Sequence, residues 1–155
     1  MEFNIVSIGN KPPKWLVTGI QEYQNRFRYP WQINFINLSS TKKNKNIKAS
    51  LIEQEGILTL EAIPKGSAII CLDERGTPFT TLELFKQIEK LAMNYNKFAV
   101  IIGGADGIAK SCLEKSNLTW SLSNLTLPHQ VVKLMVTEQL YRLWSLANNH
   151  PYHRN

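Results

Sequence analysis

Apolar positions along this chain follow two periods in turn, the short runs typical of buried strands and the three-to-four spacing typical of helices. Short apolar runs predict four strands, at 3–8, 33–38, 67–73 and 98–102. Helical spacing predicts five helices, at 14–27, 47–63, 84–92, 108–115 and 128–147. Because strands and helices alternate, we expect an α/β fold with a mainly parallel sheet, formed by a single domain over residues 1–155.

Local signals refine this outline at three places. Thr80 and Glu83 have the spacing of a capping box, which predicts a helix start. Residues 74–78 read Glu-Arg-Gly-Thr-Pro, a composition typical of a turn. The last predicted helix is apolar over much of its circumference, which indicates burial on two sides, for example against its own sheet and a partner subunit.

The stretch 120–129 fits neither period. It is apolar at Trp120 and at three leucines, but small polar residues interrupt the pattern, and Pro128 suits the first position of a helix. We interpret it as a buried loop that leads into the last helix. Backbone N–H and C=O groups in a buried loop need partners, and one way to provide them is to bind a ligand.

The composition limits the classes of protein to which this chain can belong. The chain has 155 residues, 43% hydrophobic and 19% charged, as expected of a globular domain. Cys71 and Cys112 form no Cys-x-x-Cys pair, so we expect free thiols in a reducing cytoplasm, and no metal-ligand spacing is present. The sequence shows no apolar run of membrane-spanning length and no pattern typical of a signal peptide.

The net charge of +6 fits either a nucleic-acid partner or ordinary surface charge. The segment 39–48 concentrates this charge, with lysines at Lys42, Lys43, Lys45 and Lys48. Such a run is commonly a solvated loop, but it also suits an arm that contacts phosphates. Both interpretations stay open.

Three candidate ligand-binding segments follow from the predicted sheet, since ligands of open α/β sheets bind beyond the carboxyl ends of the strands. They are Leu72 with Asp73, the glycine cluster at Gly103 and Gly104, and the loop 122–127. The cluster is neither a dinucleotide fingerprint nor a Walker A loop, and by itself it is better explained as a tight turn from strand to helix. Together these segments predict a site for a mostly apolar small molecule held through backbone groups.

The carboxyl-terminal tail is unusually rich in side chains that can do chemistry. It contains His150, Tyr152, His153 and Arg154. Aromatic rings can stack on a base, Arg can bind phosphate, and His can move a proton near neutral pH. A frayed terminus is the alternative. In the last helix Glu138 and Arg142 are four residues apart and suit a simple ion pair.

Several motifs, in order along the whole chain, resemble one family. They are Ile8 to Lys11 (I-G-N-K), L-D-E-R-G at 72–76, I-I-G-G-A-D-G at 101–107, S-L-S-N-L-T-L-P-H at 121–129, E-Q-L-Y-R at 138–142 and N-H-P-Y-H-R at 149–154. The chain thereby resembles the bacterial methyltransferases that modify N3 of a pseudouridine in large-subunit (23S) ribosomal RNA, members of the SPOUT superfamily. It departs from the family pattern in the 39–48 loop and at Asn155, which stands in place of an acidic residue.

The resemblance implies a carboxyl-terminal trefoil knot, a homodimer with its active site near the subunit interface, and S-adenosylmethionine as cofactor. It implies cofactor contacts at Leu72, Gly103, Gly104, Leu122, Ser123, Asn124, Leu125, Thr126 and Leu127. The implied substrate is the pseudouridine of the helix sixty-nine stem-loop in the assembled ribosome, with no metal and no membrane involved. The protein would then be cytoplasmic.

Residue chemistry and this resemblance together give roles to four side chains. We expect His153 to act as the base, Tyr152 to stack on or orient the nucleobase, and Arg154 and Arg142 to bind phosphate or favour the deprotonated imide. Two other hypotheses are a ribosome-binding protein without catalysis and a methyltransferase that acts on transfer RNA.

Overall fold

The computed structural model describes residues 1–39 and 48–153, with side chains from Leu51 onwards in the second range. The strands are β1 (Glu2–Ile8), β2 (Gln32–Leu38), β3 (Ser67–Pro78), β4 (Lys97–Ile102) and β5 (Leu118–Ser121). The helices are α1 (Lys14–Gln24), α2 (Lys48–Ala62), α3 (Thr81–Ala92), α4 (Lys110–Glu114) and α5 (His129–Ala147). Most of the lysine-rich segment 39–48 and the tail residue Arg154 therefore lie outside the described residues.

The strands form one sheet in the order β2-β1-β4-β3-β5, and every pairing is parallel. This confirms the α/β prediction. Helices cover both faces, so successive side chains of the inner strands enter two different cores. In β3, for example, Ile70 belongs to the larger core under α1, α3 and α5, whereas Cys71 belongs to the smaller core under α2 and α4.

Aromatic stacking anchors the larger core. The ring of Phe3 on β1 stacks on Phe98 of β4 at a centroid distance of 4.8 Å and on Trp31 at 5.4 Å. Both phenylalanines are fully buried. Burial of this much apolar surface is the main stabilising contribution in a domain of this size. α1 and α5 pack side by side above this core.

The prediction of a turn at 74–78 was wrong. β3 continues to Pro78, because its register against β5 shifts between Leu72 and Thr77 and pairing then resumes opposite Trp120. Gly76 makes the shift sterically feasible, since a Cβ there would lie 2.8 Å from the carbonyl carbon of Trp120. The same pairing corrects the reading of 120–129 as all loop, because Trp120 and Ser121 end β5.

Helix boundaries agree with the predictions to within a few residues, as is usual for frayed ends. The capping box is confirmed: Thr80 Oγ1 accepts from the Glu83 amide at 3.2 Å, and the Thr80 amide donates to Glu83 Oε2 at 2.8 Å. α5 begins at His129, and Pro128 is its N-cap rather than its first residue. α1 ends at Gln24, before the predicted Phe27.

Candidate functional site

One cavity of about 480 Å³ opens at the carboxyl ends of β3, β4 and β5. The three segments singled out in the sequence line it together: Leu72 after β3, Gly103 and Gly104 after β4, and most of the loop 122–127 after β5. His129 and Val132, at the start of α5, close one side. Its apolar walls come from Leu72, Trp120, Leu122, Leu127 and Val132.

The glycine segment after β4 folds into a tight reversal. The Gly107 amide donates to the Gly104 carbonyl oxygen at 3.1 Å, and Gly107 has a φ of 99°, a conformation that glycine adopts without strain. A Cβ on Gly103 would lie 2.5 Å from the Gly107 carbonyl oxygen. The wall of the cavity here is therefore backbone, which a ligand can approach closely.

Small polar side chains shape the loop 122–127. Ser121 Oγ donates to the Ser123 carbonyl oxygen at 3.2 Å, and Ser123 Oγ accepts from the Leu125 amide at 2.9 Å. These two hydroxyls therefore hold the loop's own backbone. Leu125 lines the cavity with 72% of its surface exposed. Asn124, which was expected to contact a cofactor, is exposed and is not among the lining residues.

Charged groups at the rim are mainly acidic. Asp73, Glu74 and Asp106 line the cavity, against one guanidinium, that of Arg75. Asp73 Oδ1 accepts from the Arg75 amide at 2.8 Å, which fixes the backbone directly after Leu72. A cavity with apolar walls, close backbone and acidic rim suits a neutral aromatic group joined to a cationic centre.

Two of the predicted catalytic residues, Tyr152 of the tail and Arg142 of α5, meet in a second cluster around Glu138. The Tyr152 hydroxyl donates to Glu138 Oε1 at 3.0 Å, and Arg142 Nε donates to the same oxygen at 2.6 Å. The Arg142 guanidinium also lies over the Tyr152 ring, 5.0 Å from its centroid. Burial, followed by hydrogen bonds with Tyr23 and Glu138, raises the pKa of Tyr152 above its ordinary value.

His153 follows directly on this cluster. Its Nδ1 is buried and has no hydrogen-bond partner among the described residues. A buried imidazole nitrogen without a partner is costly unless another group completes its surroundings. His150 is placed differently, with Nδ1 accepting from the Tyr152 amide at 3.2 Å and its ring against Trp144.

The cavity and the tail cluster are separate within one chain. No residue beyond Val132 lines the cavity in the described part of α5 and the tail. From Val132 to Glu138 the helix rises by about 9 Å, and to Tyr141, on which Tyr152 packs, by about 14 Å. Eight of the nine predicted cofactor residues, all but Asn124, are brought together at the cavity, and Tyr152 and Arg142 are brought together in the tail cluster, but the two groups lie apart.

Sequence reasoning missed two participants in the tail cluster. It identified Glu138 only as an ion-pair partner of Arg142, whereas Glu138 also accepts from Tyr152. Tyr23 showed only the helical spacing of a core residue, and its hydroxyl lies 3.4 Å from that of Tyr152 across 129 residues of sequence. No local pattern signals a contact of that kind.

Within residues 1–39 and 48–153, no group of three or more His, Cys, Asp and Glu side chains could hold a metal ion. None of the helices described has the length and apolarity that crossing a membrane requires. A family model with the description "Predicted SPOUT methyltransferase" matches residues 1–153, nearly the entire chain.

Proposed function

Because the chain belongs to the SPOUT methyltransferase family, whose members use S-adenosylmethionine as methyl donor, we propose that it methylates N3 of a pseudouridine in 23S ribosomal RNA. The target is the helix sixty-nine stem-loop of the assembled ribosome, which implies a cytoplasmic enzyme. The observation that carries the methyltransferase assignment is the convergence of three strand-end segments on one cavity. The choice of nucleotide rests on the motif resemblance.

The cavity fits this cofactor in chemistry. Leu72, Leu122 and Leu127 offer apolar surface for an adenine, and backbone groups of the loop 122–127 can meet its polar edge. Asp73, Glu74 and Asp106 suit the positive charge of the donor. When bound, S-adenosylmethionine supplies an electrophilic methyl group.

The remaining chemistry falls to side chains of this protein. N3 must lose its proton and then be held in line with the methyl group, so positioning and base catalysis supply most of the rate. His153 is the proposed base, and its partnerless Nδ1 supports this role. Arg142 and Arg154 are proposed to stabilise the deprotonated imide or a phosphate.

A homodimer would bring the cavity of one subunit next to the tail cluster of the other. We propose that the tail of one subunit serves the cavity of the other, near a two-fold interface built on α5. Apolar residues that are at least partly exposed support that interface: Leu134 on α5 lies beside Gly19 of α1, Met135 follows it, and Trp15 on α1 is 55% exposed. A trefoil knot formed by the carboxyl-terminal part is the matching expectation for the fold.

Mass mapping of ribosomal RNA from a deletion strain tests the substrate. The strain should lack the methyl group at the helix sixty-nine pseudouridine and regain it when the gene is restored. A methylated nucleotide in the deletion strain would overturn the substrate assignment. Methyl groups missing from transfer RNA instead would favour that alternative.

Mixing two inactive variants tests the shared site. Gly103→Ala alters the wall of the cavity, and His153→Ala removes the proposed base in the tail. Co-expressed mixed dimers should carry one intact site each, so about a quarter of wild-type activity should return. If tail and cavity of the same chain work together, mixing should restore nothing. A dimeric, cofactor-binding His153→Ala protein that methylates at the wild-type rate would refute the base assignment.

A further inference from the structure

The tail is held by two side chains that have no role in the reaction outlined above. We propose that Glu138 and Tyr23 are positioning residues, which clamp the Tyr152 hydroxyl and so orient His153 for proton transfer. The proposal rests on the proposed function for its effect on rate, but the clamp itself is a structural claim that can be tested without activity.

The hydroxyl of Tyr152 sits between the two proposed residues. Its oxygen lies 3.0 Å from Glu138 Oε1 on α5 and 3.4 Å from the Tyr23 hydroxyl on α1. The phenol donates its proton to the carboxylate, which leaves its oxygen to accept from Tyr23. A hydroxyl held from two helices has a fixed direction, and so does the backbone that carries it.

The carboxylate is itself held from both sides. Oε1 accepts from Arg142 Nε at 2.6 Å, and Oε2 accepts from Gln139 Nε2 at 2.8 Å. Gln139 Oε1 in turn accepts from Thr81 Oγ1 at 3.0 Å, the first residue of α3. Glu138 is therefore a rigid acceptor, and the clamp ties the tail to α1, α3 and α5 together.

The same contacts argue against a direct chemical role for the Tyr152 hydroxyl. Burial and the bonds to Tyr23 and Glu138 raise the pKa of Tyr152, so the group stays a protonated donor at neutral pH. Its ring is covered by the Arg142 guanidinium and packs edge-on against Tyr141, at a centroid distance of 4.7 Å. Tyr152 thus acts as the anchor of the tail, a narrower role than stacking on the nucleobase.

A short segment outside the helices and strands is mobile unless other residues hold it, so anchoring has a consequence for rate. His153 is only one residue beyond Tyr152, and misplacing a reacting group by about 1 Å costs on the order of a hundredfold in rate. Loosening the clamp should therefore lower kcat and leave cofactor binding unchanged, since neither Tyr23 nor Glu138 lines the cavity.

Tyr23→Phe removes one hydroxyl and keeps the ring, and Tyr141→Phe is the matched control. Tyr141 is a neighbouring buried tyrosine whose hydroxyl has no hydrogen bond to any described residue. Tyr23→Phe should lower kcat roughly two- to tenfold, the factor for one hydrogen bond, with an unchanged dissociation constant for S-adenosylmethionine. Tyr141→Phe should keep the wild-type kcat.

A double-mutant cycle separates positioning from general destabilisation. If Tyr23 acts through Tyr152, the double variant Tyr23→Phe/Tyr152→Phe should be no slower than Tyr152→Phe alone. An additional slowing equal to that seen in the wild-type background would overturn the proposal. Glu138→Gln, which keeps the shape but removes the charge, should slow the reaction more than Tyr23→Phe does.

Millisecond hydrogen exchange of the tail amides tests the clamp in the absence of activity. The amides of His150, Tyr152 and His153 should exchange faster in Tyr23→Phe and Glu138→Gln than in wild type and Tyr141→Phe. Unchanged exchange in both clamp variants would refute the clamp. Faster exchange in a protein that methylates no ribosomal RNA would refute the proposed function and leave the clamp intact.

Discussion

The backbones of Gly103 and Gly107 touch where β4 ends, so closely that a Cβ on Gly103 would lie 2.5 Å from the carbonyl oxygen of Gly107. Gly103→Ala must push this reversal open, since the opposing atoms are backbone. We expect at least tenfold weaker binding of S-adenosylmethionine by calorimetry and a lower melting temperature.

Gly19→Ala on α1 is the matched control for a glycine substitution. Its new Cβ would meet only the end of the Leu134 side chain, at 3.2 Å, which can move by the few tenths of an ångström required. This variant should bind the cofactor as wild type does. Wild-type affinity in Gly103→Ala would show that the reversal is not part of the cofactor site.

The start of α3 offers a test of local stability. Thr80→Ala removes the side-chain cap and should lower the free energy of unfolding by about 1 kcal/mol, measured by urea denaturation. Hydrogen bonds from the Thr80 backbone and side chain lower the pKa of Glu83 below 4.5. Its stabilising contribution is therefore complete above pH 4.5 and is lost as the pH falls through the lower folded value.

Comparison with Glu83→Gln checks the sign of that pH dependence. The stability difference between wild type and Glu83→Gln should be constant above pH 4.5 and should shrink in more acidic solution. A difference that grows with acid would contradict the capping role. Lys65→Met, far from the cap in an exposed turn, should show no such trend.

The two cysteines should be unreactive in the folded protein. Burial, and next the nearby Cys112, raise the pKa of Cys71 to about 12, and burial raises that of Cys112 as well. Both side chains are almost fully buried, so little thiolate forms and reagents cannot reach it. A disulfide reagent at pH 8 should label neither thiol until guanidinium unfolds the chain; fast labelling under native conditions would contradict this.

Features determined by residues close together in the sequence were predicted well. The alternation of strands and helices and the Thr80 capping box depend on spacing within a few residues, and the prediction of a parallel sheet followed from that alternation. That the three strand-end segments form one ligand site could also be predicted, because parallel strands bring their carboxyl ends to one edge of the sheet.

Features set by distant pairing were not predicted. Residues 74–78 have turn composition, and only the pairing with β5 after a register shift makes them a strand. The contact between Tyr23 and Tyr152 joins the first helix to the tail, which no periodicity indicates. Tertiary contacts of this kind override local propensity.

The side chain of Lys133 is a buried cation. Lys133 on α5 is 2% exposed, and its Nζ donates to Asn37 Oδ1 at 3.1 Å. No carboxylate among the described residues lies within salt-bridge distance of it. Burial lowers the pKa of Lys133 below 10.5. Keeping this ammonium charged in the folded protein therefore reduces the free energy of unfolding.

The sign of the resulting pH dependence follows from proton binding. Between the folded pKa of Lys133 and 10.5 the unfolded chain binds more protons, so the stability of the wild type should rise with pH across that window. Lys133→Met keeps the volume and removes the charge, while Asn37 keeps its bond from Ser7 Oγ at 3.1 Å. The variant should be more stable at pH 7 by ~1 kcal/mol and should lack the rise. Urea denaturation between pH 7 and pH 10 measures both effects, with Lys65→Met as the exposed control. A Lys133→Met protein less stable than wild type at pH 7 would instead show that the ammonium is stabilised where it lies.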